Sequence, residues 1–392
     1  MISVASVGED VMSVLEDIRG AERVIACYQC GTCSGSCPTA SAMDYTPRRL
    51  LHMLRLGLDA RVLASRSIWL CTSCYSCTDR CPREIQIGQT MLGLRALAVS
   101  RGVDLPANLL ALRDTVTSHH NISGDDNTAR LIWSDNLPAG DRGFAAKRQA
   151  EVLFYVGCVA SFYPTVYGIP QALIQVMAHA GVDVAALGGE EWCCGYPLYT
   201  AGMPNLAESL MAHNLTRVRE MGAKTLVTTC PSCHYTWAHL YPQWGASLPG
   251  VEILHASEFL ARLLEENRLK LGTVEQIVTY HDPCDLGRKS GIFDAPRRVI
   301  AGVPGVEFRE MDACREQALC CGGGGDVQIV DDSVTAAVAS RRLEQAQRTG
   351  ARVLLSACQQ CKRTLQAAAR RDRVRIRVLD LAELVWEAME QQ

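Results

Sequence analysis

Two sets of five cysteines with nearly identical spacing constrain this chain more than any other feature. Each set has the order Cys, Cys-Cys, Cys-x2-Cys; the two gaps are 34 and 35 residues in the first set, and 35 and 36 in the second. Both sets are therefore expected to converge on a ligand that takes five sulfurs, and an iron–sulfur centre fits that requirement. The first set consists of Cys158, Cys193, Cys194, Cys230 and Cys233, and the second of Cys284, Cys320, Cys321, Cys358 and Cys361.

The 19 cysteines of the 392-residue chain are too many for packing and indicate metal or redox chemistry. The first residues include Glu9, Asp10 and Glu16 and lack the basic start and apolar core of a secretory signal, so we expect reduced thiols and a cytoplasmic location. The sequence has no apolar run of about 18 residues, which predicts no membrane span of its own. A formal net charge of −3 argues against nucleic acid as a partner.

A second cysteine pattern, Cys-x2-Cys-x2-Cys-x3-Cys-Pro, occurs twice in the N-terminal region, with 33 residues between the runs. In paired [4Fe–4S] cubanes, three close thiolates bind one cluster and the cysteine before proline binds the other. Structural zinc is the alternative, but zinc takes four ligands in CxxC pairs. Gly31 and Gly35 are expected to let backbone N–H groups approach the sulfides. We therefore predict one cubane on Cys27, Cys30, Cys33 and Cys81, and another on Cys71, Cys74, Cys77 and Cys37.

The region around these runs is predicted to form a helical ferredoxin-like domain of residues 1–118. Helical periodicity marks a lead-in segment at 1–26, the insert that starts at Thr46-Pro47, and residues 85–113. Residues 119–150 contain several Gly, Asp and Pro residues and predict a linker that Trp133 anchors to a surface. His119 and His120 in this segment are expected to be ordinary polar side chains.

The five-cysteine sets lie in two versions of one unit, predicted as domains 151–270 and 271–392. Each unit reads as strand, helix, strand, Cys-Cys-Gly turn, long helix and strand. This alternation predicts parallel sheets with right-handed crossovers, so the fold class is α/β, with two Rossmann-like repeats after the helical domain. Ligands of such sheets bind at the carboxyl ends of strands. Four of the cysteines are predicted to lie there, namely Cys158, Cys230, Cys284 and Cys358.

The adjacent cysteine pairs indicate an irregular cluster. Neighbouring side chains point apart and cannot easily bind a regular cubane together, so each pair is expected to bridge irons of an opened cluster. Gly195, Gly322 and Gly323 are expected to permit close backbone approach to such a cofactor. Zinc sites, thioredoxin-like dithiols and a degenerate structural relic stay open as alternatives for these sets.

Several motifs resemble the cysteine-rich CCG domains of heterodisulfide reductases. Those motifs are Cys158-Val-Ala-Ser, Glu190-Glu-Trp-Cys-Cys-Gly195, Tyr280-His-Asp-Pro-Cys284, Gly287-Arg-Lys-Ser-Gly291 and Cys320-Cys-Gly-Gly-Gly-Gly325. The segments Cys27–Pro38 and Trp69–Cys77 resemble the small ferredoxin-like component of the same enzymes. The chain is thus similar, over nearly its whole length, to the D-type component, in which the ferredoxin-like and CCG parts are fused. Asp285 departs from the family pattern, which often has histidine after the cysteine.

The resemblance implies two cubane and two noncubane [4Fe–4S] clusters, with one noncubane cluster in each five-cysteine set. A small disulfide or thiol substrate would bind between the noncubane clusters, and each sulfur of a disulfide would be captured by iron of one cluster. No flavin or nicotinamide motif is visible, so the electrons are expected from other redox subunits, namely a flavin-containing protein of the A type or a membrane cytochrome b. Through such a partner the chain could lie at the inner face of the membrane.

Beyond the cluster ligands, the sequence offers two histidines and two basic residues as candidates for a catalytic role. His234 and His281 adjoin cysteine motifs and could move protons, although a supporting hydrogen bond is the preferred interpretation. Arg288 and Lys289 could neutralise a cluster or hold an anionic substrate, or be ordinary solvated charges, and the same applies to the pair Lys362-Arg363. Two functions stay open: disulfide chemistry at the noncubane pair, and a non-catalytic electron relay inside a larger complex.

Overall fold

The N-terminal region consists of short helices separated by the cysteine runs. The computed structural model describes residues 15–391, so most of the predicted lead-in helix lies outside the described residues; Leu15 and Ile18 at its end are buried. 3-10 turns lie at Val24–Ala26, Ala40–Ala42 and Arg66–Ile68. The α-helices of this region are Thr32–Gly35, Pro47–Arg55, Asp59–Leu63, Ser76–Asp79, Ile87–Ser100 and Ala107–His119.

The insert between the two runs is helical, as its pattern predicts. Pro47 occupies the first turn, where its missing amide hydrogen costs nothing, and Leu50 and Leu54 on the apolar stripe are buried. The helical periodicity over 85–113 corresponds to two helices, Ile87–Ser100 and Ala107–His119. The interruption falls where Gly102 adopts a φ of 66° and Pro106 cannot donate a backbone hydrogen bond.

The second part of the chain contains two four-stranded parallel sheets with the same topology, which confirms the predicted α/β fold class. The strand orders are β2-β1-β3-β4 and β6-β5-β7-β8. The first sheet comprises β1 (Val152–Phe154), β2 (Val184–Ala185), β3 (Thr225–Thr228) and β4 (Glu252–His255). The second comprises β5 (Gln276–His281), β6 (Val306–Phe308), β7 (Val353–Ser356) and β8 (Arg377–Asp380).

Helices and 3-10 turns connect these strands. Two 3-10 helices precede β1, at Asn127–Ser134 and Ala139–Ala146. Further 3-10 helices lie at Pro164–Val166, Gly188–Glu190, Pro204–Ala207 and Arg315–Gln317, and a π-helix lies at Thr236–Leu240. The α-helices between β1 and β5 are Cys158–Phe162, Gly168–His179, Tyr196–Thr200, Glu208–Met221, Pro231–Tyr235, Tyr241–Gln243 and Ala256–Glu265. Those after β5 are Asp294–Ala301, Val327–Val330, Asp332–Arg348, Gln359–Arg371 and Leu381–Met389.

Each repeat ends with a strand and a helix that the sequence pattern did not predict. Both helices begin with a capping box, in which the N-cap side chain accepts from the backbone of the first turn and a glutamate returns the bond. His255 is the N-cap residue in the first repeat and Asp380 in the second. These strands carry no cysteine, and their short apolar runs give no distinctive alternation.

One hydrophobic core serves both repeats. The helix Gly168–His179 of the first repeat packs against Leu381–Met389 of the second, and Ala256–Glu265 packs against Asp294–Ala301. Side chains from both sheets and all four helices belong to the same buried cluster, including Phe154, Leu173, Leu260, Val299 and Leu384. The repeats are therefore two halves of one packed body.

Two compact units can be distinguished in the chain. The first contains the described residues up to Ala111 together with Pro197–Asn205 and Gly322–Val338, and the second contains Leu112–Tyr196, Leu206–Cys321 and the residues from Ala339 onward. The boundaries inferred from sequence at 118, 150 and 270 stay a prediction. No helix within residues 15–391 has the length and apolarity needed to cross a bilayer.

Candidate iron–sulfur centres

The eight N-terminal cysteines line two cavities in the first unit. Cys37, although it belongs to the first run, lies in the cavity of the second run, and Cys81 lies in that of the first. This exchange is the one expected of paired cubanes. One cavity is lined by Cys27, Cys30, Cys33 and Cys81, and the other by Cys37, Cys71, Cys74 and Cys77.

These thiols are crowded but differ in exposure: Cys33 and Cys74 are buried, whereas Cys30 is exposed. Burial raises the pKa of Cys33 to about 11 and that of Cys37 to about 12. Burial and the neighbouring cysteines also raise the pKa of Cys77. Such thiols become thiolates when a cation shares the site, because the metal compensates both desolvation and mutual repulsion. The donor set therefore fits a cationic iron cluster.

Backbone geometry around the two runs uses glycine in two different ways. Gly31 has a φ of 88°, which favours glycine, whereas Gly35 lies in the short helix Thr32–Gly35. A Cβ on Gly325 would lie 2.4 Å from the Cys71 carbonyl oxygen, and one on Gly324 would lie 2.8 Å from that of Thr72. Part of the Gly322–Gly325 run is thus required by close packing against the second four-cysteine run.

A buried arginine ties the first unit together beside the same run. Arg95 donates through Nη2 to the Cys71 carbonyl at 2.7 Å and through Nε to that of Ile68 at 2.8 Å. Its Nη1 donates to the carbonyls of Thr200 and Gly325, at 2.6 and 3.0 Å. Charged donors make strong hydrogen bonds, so Arg95 fixes the backbone that carries Cys71.

The first five-cysteine set converges in the second unit. Cys158 begins a helix after Gly157, whose φ is 81°, and Cys230 is the N-cap of the helix Pro231–Tyr235. Cys233 Sγ donates to Cys194 Sγ at 3.5 Å. All five members of the set are buried free thiols. Gly195, predicted to approach a cofactor, has a φ of 87°, and a Cβ there would lie 2.6 Å from that of Ala207.

The second set has the same arrangement with one difference. Cys358 is the N-cap of the helix Gln359–Arg371, and its Sγ accepts from the Cys361 amide at 3.4 Å. The side chains of His281, Cys321 and Cys361 offer ligand atoms within 4.8 Å of one another. Cys284 is partly exposed, whereas the other four members of the set are buried. Gly322, also predicted to approach a cofactor, has a φ of 92°.

The sulfur chemistry of the two sets is also parallel. Hydrogen bonds from Cys193 and Cys233 lower the pKa of Cys194 to about 5. Hydrogen bonds from Cys320 and Cys361 likewise hold the pKa of Cys321 well below its usual range. The second cysteine of each adjacent pair is thus stabilised as a thiolate, the form that binds metal. Five gathered sulfurs with a favoured thiolate fit an iron–sulfur cluster.

A glutamine joins the two sets. Gln359, inside the Cys-x2-Cys of the second set, donates at 2.7 Å to both the Val156 carbonyl and the Thr229 hydroxyl of the first repeat. It also accepts from the Ala160 amide at 2.9 Å. Gln359 is fully buried, so its amide is satisfied entirely by the loops that carry Cys158 and Cys230. The two cysteine sets therefore adjoin at the interface of the repeats.

Arg130, from the segment predicted as a linker, lies against the first set. It is buried, pairs with Glu191 at 2.8 Å and donates to Cys158 Sγ at 3.3 Å. Burial lowers the pKa of Arg130, but the neighbouring Cys158 and Glu191 raise it by more, so the net pKa lies above the ordinary value. Trp133 is fully buried, and the His120 ring stacks on Trp192 at 3.5 Å.

Lys289 is engaged in a polar group beside Cys284. Its ammonium lies 2.8 Å from Asp285 and 2.6 Å from the Tyr196 hydroxyl, and Ser232 donates to Asp285 at 2.6 Å. Asp285 thus neutralises Lys289. The sequence had left two interpretations of this lysine open, an anion-binding residue or an ordinary solvated charge. Arg288 donates to the carbonyl of Ala318 at 2.8 Å.

The remaining candidates are mostly buried. Burial lowers the pKa of His234 to about 4, so this side chain is neutral near pH 7. Burial also lowers the pKa of His281, which lies beside Cys321. Lys362 forms an ion pair with Glu383 at 2.6 Å, and Arg363 stacks over the Tyr163 ring. None of these four side chains is an ordinary solvated group.

Sequence reasoning missed the residues that organise the sets from a distance. Arg130 lies in a segment without apolar rhythm, and Gln359 is an unremarkable residue between two cysteines. Glu191 falls inside a motif already associated with the CCG domains, which was the available signal. Arg130 contacts Cys158 from 28 residues away, and Gln359 contacts Val156 from 203 residues away, so no local pattern identifies these contacts.

A helical domain with two four-cysteine cavities, followed by paired α/β repeats with five-cysteine sets, defines a class of iron–sulfur oxidoreductase subunits. The 4Fe-4S dicluster domain family matches residues 23–85, and the cysteine-rich CCG domain family matches residues 152–237 and 278–366. The chain is 31% identical, over 93% of both chains, to the D-type component of the dihydromethanophenazine:CoB–CoM heterodisulfide reductase of Methanosarcina barkeri. The chain belongs to this D-type heterodisulfide reductase family.

Two further relatives come from other redox systems. The B-type component of the fumarate reductase (CoM/CoB) of Methanothermobacter marburgensis is 27% identical over 94% of this chain and 73% of its own. The EtfAB:quinone oxidoreductase of Syntrophomonas wolfei is 26% identical over 93% of this chain and 58% of its own length. Relatives of this chain therefore occur in several redox systems.

Proposed function

We propose that this chain passes electrons through two cubane [4Fe–4S] clusters to two noncubane [4Fe–4S] clusters, where a small disulfide is reduced or two thiols are oxidised. The observation that carries the proposal is the pair of complete five-cysteine sets joined through Gln359. Reduction of a disulfide consumes two electrons and two protons and yields two thiols. The clusters would supply these electrons one at a time.

The chain's own residues would hold and shield this chemistry. The eighteen cysteines would bind the clusters, and the buried hydrogen bonds of Gln359 would keep the two five-cysteine centres at a fixed separation. The partly exposed Cys284 would face the arriving substrate, beside the buried polar group of Asp285, Lys289 and Tyr196. Because Asp285 neutralises Lys289, we do not assign an anion-binding role to that lysine.

Electrons would come from a separate redox protein. The two partners we propose are a flavin-containing protein of the A type and a membrane cytochrome b, since neither a flavin nor a nicotinamide motif is visible in the sequence. In the second case the chain would lie at the inner, cytoplasmic face of the membrane.

The first test is cluster content followed by turnover. Anaerobically prepared protein is expected to contain about sixteen iron atoms, four for each of four clusters, and to release thiols from a heterodisulfide when supplied with reduced viologen. Cys361→Ser should abolish thiol release, because it removes a ligand of the second set. Cys314→Ser is the matched control: it removes a cysteine outside both sets and should leave thiol release unchanged.

A non-catalytic electron relay is the second candidate, favoured by similarity to an EtfAB:quinone oxidoreductase. The same experiment separates the two. Clusters that viologen reduces, combined with no thiol release, would support the relay and contradict disulfide reduction. Protein that binds zinc and no iron would contradict both functions.

A further inference from the structure

Arg130 is held rigidly against one sulfur of the first five-cysteine set. Its Nη2 lies 3.3 Å from Cys158 Sγ, and its Nη1 lies 2.8 Å from Glu191 Oε1. Both charged side chains are 1% exposed. A guanidinium is always charged, so this contact places a permanent cationic donor on a proposed cluster ligand.

The surroundings prevent the arginine from moving away. Glu191 also accepts from the amides of Val156 and Gly157, both at 2.8 Å. Asn127 accepts from Arg130 Nε at 2.8 Å and donates to the carbonyl of Glu191, also at 2.8 Å. Asn127 and Glu191 therefore hold the Arg130 guanidinium in place before any ligand binds.

The second set lacks this contact at the equivalent cysteine. Cys284 occupies the place of Cys158 in the duplicated order, is partly exposed, and accepts no side-chain or backbone hydrogen bond at Sγ from the described part of the chain. The nearby ammonium of Lys289 lies against Asp285 and the Tyr196 hydroxyl. The buried guanidinium of the second repeat, Arg342, donates instead to His281 Nδ1 at 3.0 Å. The two sets therefore share their cysteines but differ in the hydrogen bond that the sulfur of the first cysteine accepts.

We propose that Arg130 raises the reduction potential of the cluster in the first five-cysteine set above that of the cluster in the second. The inference rests on the proposed function, in which each set holds a cluster. Reduction adds negative charge to the cluster and its thiolates, and a hydrogen bond from a fixed cation stabilises that charge. The two noncubane centres are then inequivalent, and the first electron resides on the first centre.

The test is a redox titration of the loaded full-length chain, followed by electron paramagnetic resonance. Arg130→Met should lower the midpoint of one noncubane signal and leave the other unchanged. We expect the reduction equilibrium constant of that centre to fall at least about tenfold, which is about 59 mV for one electron. Arg297→Met, which removes a second-repeat guanidinium that bonds Asp282 and Glu310, should leave the first-centre midpoint unchanged.

A second variant covers the case in which Arg130→Met fails to load because Glu191 becomes a buried unpaired charge. The double variant Arg130→Met/Glu191→Gln removes both charges together, and its midpoint should still be lowered, by less than in Arg130→Met, because the hydrogen bond to Cys158 Sγ is lost. Fully loaded variants with unchanged midpoints would overturn the inference while leaving the proposed function intact. Wild-type protein without iron would instead overturn the proposed function, and this inference with it.

A third measurement needs no substitution. Wild-type protein labelled with 15N only in arginine should show 15N hyperfine coupling in the pulsed resonance spectrum of one reduced noncubane centre. Absence of arginine coupling at both reduced centres would also overturn the inference.

Discussion

At the scale of single residues, Lys289 shows how a charge near a candidate site can be structural. Its side chain is 1% exposed, and burial lowers its pKa, but Asp285 and Tyr196 more than compensate, so the net pKa is raised well above the ordinary value. The rings of Tyr196 and Tyr235 lie about 5 Å from the ammonium and add cation–π stabilisation. Lys289 therefore stays charged, and its charge is already used inside the protein.

Substitution of this lysine should destabilise the protein strongly. Lys289→Met leaves the buried Asp285 without its cation, and breaking a buried pair on one side costs about 3–5 kcal/mol. Arg262→Met is the control, because the pair of Arg262 and Glu252 is about half exposed and should be worth less than about 1 kcal/mol. Chemical denaturation gives both values, and equal losses for the two variants would contradict this account.

At the scale of elements, the glycine run after the second Cys-Cys pair is explained by packing. Gly325 has a φ of 58°, and a Cβ there would lie 2.4 Å from the Cys71 carbonyl oxygen and 2.7 Å from the Thr72 carbonyl carbon. Neither backbone atom can rotate away as a side chain could. The run therefore allows the loop after the second pair to rest directly on the second four-cysteine run.

Gly325→Ala should accordingly disrupt the second four-cysteine run. We expect a loss of stability of at least about 2 kcal/mol, from the unfavourable φ and the overpacking together, and loss of iron from the first unit. Gly291→Ala is matched in backbone conformation, with a φ of 74°, but meets nothing within 4 Å, so only the conformational cost of about 1–2 kcal/mol applies. Thermal unfolding and iron analysis compare the two, and full iron content in Gly325→Ala would refute the packing argument.

Features set by local sequence could be predicted, whereas contacts between distant segments could not. The cysteine spacing predicted that Cys37 shares a cavity with the cysteines of the second run. The strand and helix pattern predicted that Cys230 and Cys358 lie at strand ends, because both positions follow from local periodicity and topology. The roles of Gln359 and Arg130 could not be predicted, because they depend on partners from distant segments. The β4 and β8 strands were not predicted, because they are short and have no cysteine to mark them.

At the scale of the whole molecule, the shared core of the two repeats predicts cooperative behaviour. Leu384 is fully buried in the cluster that also contains first-repeat residues, whereas Leu343 is buried in a cluster confined to the second repeat. Either leucine-to-alanine change should cost about 2–5 kcal/mol. The difference lies in which strands respond.

Hydrogen exchange distinguishes the two substitutions. Leu384→Ala should accelerate exchange of β3 amides in the first repeat as well as β7 amides in the second, because the core joins both sheets. Leu343→Ala should act mainly on the second repeat. Unchanged β3 exchange in Leu384→Ala would mean that the repeats unfold independently.

The composition of the first unit has a consequence for how the protein is made. Arg95 bonds the carbonyls of Thr200 and Gly325, and Gly322–Val338 belongs to the same unit as the two N-terminal cysteine runs. The ribosome synthesises these runs hundreds of residues before Gly325, so that unit cannot complete its packing during early translation. The full unit can therefore enclose the two N-terminal cysteine cavities only after most of the polypeptide has emerged.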